Sequence, residues 1–222
     1  MLNKIRENSK ILIIFIEILL IFLGFWFLLN NLTTNGIWET VVLNILFFLV
    51  FPWLILKQGW IKSEIEQKIN FKVCLQILIF WIIFLVLILK SDYLSFIKLN
   101  YLSRIDWFLN DWWMIFFIDL ILVPLILFSQ EFFFRNFLIN KLMETFSTKM
   151  TLVIQAGFFV FFEILFFEIF SWQFILFSFF LALFLGWLYT RTKSIWYSFV
   201  TRWALILLLD GVILYKIQKL KL

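Results

Sequence analysis

The sequence predicts an all-α integral membrane protein, a polytopic bundle of seven or eight transmembrane helices, on three observations. Of its 222 residues, 64% are hydrophobic and 23% aromatic, with a mean hydropathy of +1.04, more apolar surface than one soluble core hides. Apolar runs near the ~20 residues that cross a hydrocarbon core of roughly 30 Å as a helix recur along the chain. Most charges fall between those runs.

Seven spans follow in order. Ile11 to Leu29 comes after Lys4, Arg6 and Lys10 and resembles a signal peptide, but its length and the lack of a small-residue cleavage site predict a retained first span. Thr40 to Leu56 and Val73 to Leu89 are the second and third. Trp112 to Phe128 is the fourth, and Thr151 to Phe167, Trp172 to Tyr189 and Ile195 to Leu214 complete the set. With no Gly/Ser-rich linker and no repeat, residues 1–222 read as a single integral membrane domain.

Between spans, Lys57 to Lys72 carries Ile61, Ile65 and Ile69 at helical spacing among charges, a short interfacial helix or a solvated loop. With the N-terminus cytoplasmic, Lys and Arg divide twelve against six in favour of that side, the sense expected of a cell-membrane protein. Arg135 counts among the cytoplasmic twelve. Seven spans export the basic tail Lys216, Lys219 and Lys221; an eighth segment within Ser91 to Asp111, or a re-entrant last helix, returns it.

The formal charge of +5 is accounted for by this topology, so no nucleic-acid partner is implied and the lipid bilayer is the first partner. One cysteine, Cys74, and no histidine exclude a disulfide framework and offer no thiolate or imidazole spacing for a metal. Trp107, Trp112, Trp113, Trp172, Trp187, Tyr189, Trp196 and Tyr197 lie near span ends, where interfacial anchoring explains them. The wealth of Phe, Ile, Leu, Lys and Asn fits a bacterial, AT-rich genome as well as an aromatic pocket. Ser178, Ala182, Gly186 and Thr190 recur every four residues along the sixth span, a ridge of small side chains that marks a close helix contact.

Ionisable residues at membrane depth are costly and mark function or a partner. Glu17, Asp119, Glu131, Glu163, Arg202 and Asp210 lie within or at the ends of spans, with Arg135 and Glu168 near boundaries. Glu131 and Arg135, four apart, are placed to pair along one helix face, closing the cytoplasmic end of the fourth span.

Taken with Gln130-Glu131-x-x-x-Arg135, the segments Phe159-x-x-x-Glu163, Leu185-Gly186-Trp187-Leu188-Tyr189, and Thr192-Lys193-Ser194 leading to Arg202-x-x-x-Ile206 resemble, in order and spacing, the CAAX prenyl protease and bacteriocin-processing (CPBP, Abi) family of intramembrane endopeptidases. The family-like core is about residues 112–214. In that family a Glu-Glu-x-x-x-Arg helix supplies the Glu thought to activate water, and a Phe-x-x-x-His and a later His-x-x-x-Asn bind that water or stabilise the oxyanion.

The resemblance therefore implies a degenerate member. Gln130 stands where the base is expected, and an amide has no useful basicity near neutral pH. Glu131 points about 100° away from its neighbour on a helix. Glu163 and Arg202 replace the histidines; Arg202 is a fixed cation, and Ile206 has no polar atom. The resemblance also brings Glu163 and Arg202 to one cavity, where they are expected to form a buried ion pair.

No cofactor and no metal are implied. The reading is a catalytically inactive, CAAX-protease-like pseudoprotease that binds a membrane peptide or protein partner as scaffold, adaptor or immunity factor. One alternative is a divergent endopeptidase using Glu131 or Glu163 with Arg202. Another is a membrane transport component with Glu17, Asp119, Glu163, Arg202 and Asp210 along a polar route.

Overall fold

The computed structural model describes Ile13 and residues 16–28, 37–56, 71–90, 118–167 and 171–221. These form seven helices and no strand. α1 is Ile16–Leu28. α2 runs from Ile37–Ile45 through a π-helical stretch, Leu46–Val50, into Phe51–Leu56, and α3 is Phe71–Lys90. α4 is the most irregular: π-helical Ile118–Leu122, α-helical Val123–Glu131, π-helical Phe132–Ile139 and a last turn, Asn140–Met143. α5 is Thr148–Phe167, α6 Trp172–Thr192 and α7 Ile195–Lys221.

Two helical stretches, Thr148–Leu165 and Trp172–Thr192, are long and apolar enough to cross a membrane, and three shorter apolar ones are Ile16–Leu28, Thr40–Val50 and Val73–Ile83. The lipid-like exterior is evident in exposed Leu20, Phe27, Phe180 and Trp172. The loop at Lys57 to Lys72, except its last two residues, and the eighth segment expected within Ser91 to Asp111 lie outside the described residues, as do Glu168, Trp107, Trp112 and Trp113.

The fourth helix differs from its expected span. It continues past Phe128 to Met143, because Phe132, Phe133, Phe134, Phe137, Leu138 and Ile139 are all buried and no Gly or Pro intervenes to stop the helix. Arg135 is thus enclosed by protein and belongs to no cytoplasmic loop.

Phenylalanine builds the core. Phe22 of α1, Phe48 of α2, Phe133, Phe134 and Phe137 of α4, and Phe159 and Phe162 of α5 are buried together. Phe48 meets Phe162 edge-on at 4.9 Å and Phe134 meets Phe159 at 5.0 Å, the tilted geometries that ring quadrupoles favour. Part of the aromatic wealth of the sequence thus serves interior packing.

α6 occupies the middle of the C-terminal half, against α4, α5 and α7. Its small-residue ridge makes this possible: Ser178, Ala182 and Gly186 are buried, and a Cβ added at Gly186 would lie 2.8 Å from both Gln155 Oε1 and Leu152 Cδ2 of α5. Ser171 caps the helix by accepting from Phe174 N–H at 3.1 Å.

At the other end Lys193 adopts the left-handed conformation, φ 52°, and its N–H donates to Tyr189 O at 2.7 Å. Thr192 Oγ1 donates to Leu188 O, and Ser194 N–H donates back to Thr192 Oγ1. This tight turn sends α7 back beside α6 and fixes the height of Arg202. Tyr189 corrects the anchoring assignment: it is buried, and its hydroxyl donates to Asn136 Oδ1 and accepts from Asn140 Nδ2.

Candidate functional site

Four charged side chains from three helices meet in the interior. On α4, Arg135 Nε donates to Glu131 Oε2 at 2.9 Å. From α7, Arg202 Nη1 donates to the other oxygen, Glu131 Oε1, at 3.2 Å, and Arg202 Nη2 donates to Glu163 Oε1 of α5 at 2.7 Å. All four are buried. Two carboxylates and two guanidiniums sum to zero, the condition under which such a group tolerates an apolar enclosure.

Phe159 is the platform. Arg202 Cζ stands 4.7 Å from its ring centroid and Arg135 Cζ 5.5 Å, so both cations rest on the π-system. Arg135 Nη1 also reaches Ala182 O of α6 at 3.4 Å, which the absence of a larger side chain on the ridge permits.

Gln130 points elsewhere, as the 100° step per residue requires. Its Nε2 donates to Asn44 Oδ1 of α2 at 2.9 Å, while Asn44 Nδ2 donates to Thr40 O at 2.8 Å. Asn44 is a contributor that sequence reasoning overlooked; a lone amide in an otherwise apolar span was the available signal. Both residues next to the π-helical stretches of α2 and α4 meet here, and such stretches often accompany functional sites.

The structure brings together Glu131, Arg135, Glu163 and Arg202, and leaves Gln130 beside Asn44. Ile206, one turn beyond Arg202, is half-buried. The expected Glu163–Arg202 pair is present. The expected Glu131–Arg135 pair is also present, but within the bundle and joined to Arg202, so it does not close a helix end. Asp119 and Asp210 are buried apart from this cluster, and Trp203 Nε1 donates to Asp119 O at 2.9 Å. Glu17 is half-buried on α1. Among the described residues no group of three or more His, Cys, Asp or Glu is arranged to hold a metal ion.

Chemically, the cluster holds two acids against two permanent cations. Each oxygen of Glu131 already accepts a charge-assisted hydrogen bond, and the short contact to Arg202 occupies Glu163.

Helices enclosing a charged centre, with apolar faces outside, define a helical membrane protein with an interior polar site. Residues 109–208 match the family model described as Rce1-like, type II CAAX prenyl endopeptidase, a similarity that supports the likeness of this part of the chain to the CAAX prenyl protease and bacteriocin-processing family. No curated protein and no solved structure matches the chain.

Proposed function

We propose that this protein is a catalytically inactive CAAX-protease-like membrane protein that binds a membrane peptide or membrane protein at the altered centre, as scaffold, adaptor or immunity factor. One observation carries the reading: Arg202 bridges Glu163 and Glu131 at 2.7 and 3.2 Å, so both acids of the centre are held in ion pairs. Gln130, in place of the expected Glu, is engaged by Asn44. The whole chain, residues 1–222, acts as one multi-pass domain with a cytoplasmic N-terminus.

The test is a cleavage assay in liposomes against pooled leader and CAAX-like peptides, run on the wild type and on Glu131→Gln/Glu163→Gln. No cleavage by either, together with peptide retained by the wild type and released by Arg202→Met, is the expected result. Cleavage by the wild type that the double variant loses would establish a carboxylate-based endopeptidase and overturn the reading. Gly157 is no place to fill the site for such a test, because it is exposed and a Cβ there meets nothing within 4 Å.

A further inference from the structure

One turn below the charged cluster, the seam of α4, α5 and α6 holds polar atoms that the cluster does not use. Thr151 and Gln155, a turn apart on one face of α5, are both fully buried. Thr151 Oγ1, Gln155 Oε1 and Gln155 Nε2 have no hydrogen-bond partner among the described residues, and neither does Arg135 Nη2. Gln155 Oε1 faces Gly186, and Arg135 Nη1 contacts Ala182 O on the preceding turn of α6. The orphan groups of α4 and α5 thus border the same stretch of the small-residue ridge.

We propose that Arg135, Thr151 and Gln155 form a buried water-binding site at this seam. The unmet groups include donors, on Arg135 and Gln155, and acceptors, on Gln155 and Thr151. Water satisfies both kinds, and buried water characteristically makes two to four such bonds to groups left unpaired by the protein. An anion is not called for, because Glu131 already neutralises Arg135. A peptide amide has matching chemistry but needs an opening wide enough for its chain, and all three side chains are fully enclosed.

The neighbours of the seam at the C-terminal end of α4 fit this assignment. Tyr189, one turn from Gly186, bonds Asn136 and Asn140, and Asn140 is exposed. A further polar group thus lies at the exposed end of α4, one turn along α6 from Gly186. This site lies on the Arg135 side of the cluster, where its water hydrates the cation that Glu131 pairs.

The test uses the full chain in lipid bilayers, with no partner or substrate. Magnetisation transfer from water to 15N-labelled glutamine side chains is recorded by solid-state NMR, with the Gln155 signal assigned by its loss in Gln155→Met. Thermal unfolding of Gln155→Met and of the near-isosteric Thr151→Val is measured alongside. The expected results are a water transfer peak at Gln155 Nε2 and a midpoint lowered by a few degrees in each variant. No transfer, or a midpoint that rises when the orphan groups are removed, would overturn the site.

Discussion

Arg202 Nη2 lies 2.7 Å from Glu163 Oε1 and so joins α7 to α5 at the centre of the bundle. The same guanidinium reaches Glu131 of α4, so among the described residues Arg202 is the cation that touches both acids. Removing it leaves Glu163 uncompensated, while Glu131 retains Arg135. Arg202→Met is expected to cost about 3–5 kcal/mol, the penalty for breaking a buried pair. Glu163→Gln, which keeps an acceptor for Arg202, is expected to cost about 1–3 kcal/mol. Denaturant unfolding in detergent measures both, and a double-mutant cycle with Glu163→Leu/Arg202→Leu should recover part of the loss.

Gln130 provides a second check, because restoring the acid at this position tests whether one substitution rebuilds the chemistry. Gln130 Nε2 donates to Asn44 Oδ1, and Asn44 Nδ2 is already committed to Thr40 O. Gln130→Glu replaces that donor with an acceptor facing an acceptor. The expected outcome is a loss of about 1–3 kcal/mol and no cleavage of the peptide pool, since Arg202 still occupies Glu131 and Glu163. Stability and the liposome assay are read on the same preparation.

The reasons these contacts were or were not legible in the sequence are physical. α5, α6 and the start of α7 were readable from apolar length alone, and Glu163–Arg202 from the family spacing. The extension of α4 was hidden because hydropathy scores each charge singly, whereas Glu131 and Arg135 cancel one another at i, i+4 and allow Phe132, Phe133 and Phe134 to continue the apolar run. Tyr189 read as an anchor because its distance from a span end is all that sequence reveals; its buried hydroxyl depends on Asn136 and Asn140, which lie some fifty positions away in the chain. The link from Arg202 to Glu131 is likewise a tertiary contact with no local signature.

Lys193 carries a local strain that a single change relieves. Its φ of 52° is left-handed, a region where a Cβ crowds the carbonyl oxygen and glycine is favoured. The side chain is exposed, so Lys193→Gly forfeits no packing. The expected effect is a stabilisation of about 1 kcal/mol, measured by thermal unfolding, with the Lys193 N–H to Tyr189 O bond retained.

Two glycines on adjacent helices should respond with opposite signs. A Cβ at Gly157 meets nothing within 4 Å, so Gly157→Ala removes backbone freedom from α5 at no steric cost and should stabilise the protein by about 0.5–1 kcal/mol. At Gly186 the same Cβ stands 2.8 Å from Leu152 Cδ2 and Gln155 Oε1. Both atoms end flexible side chains, but Gln155 is fully enclosed and Leu152 half-buried, which restricts their retreat. Overpacking of this kind costs about 1–3 kcal/mol, more than the propensity gained, and Gly186→Val should exceed Gly186→Ala. Unfolding midpoints for the three variants decide the matter: a stabilising Gly186→Ala would mean that α5 and α6 are not in close contact along the ridge, and would remove the packing that brings Ala182 O to Arg135.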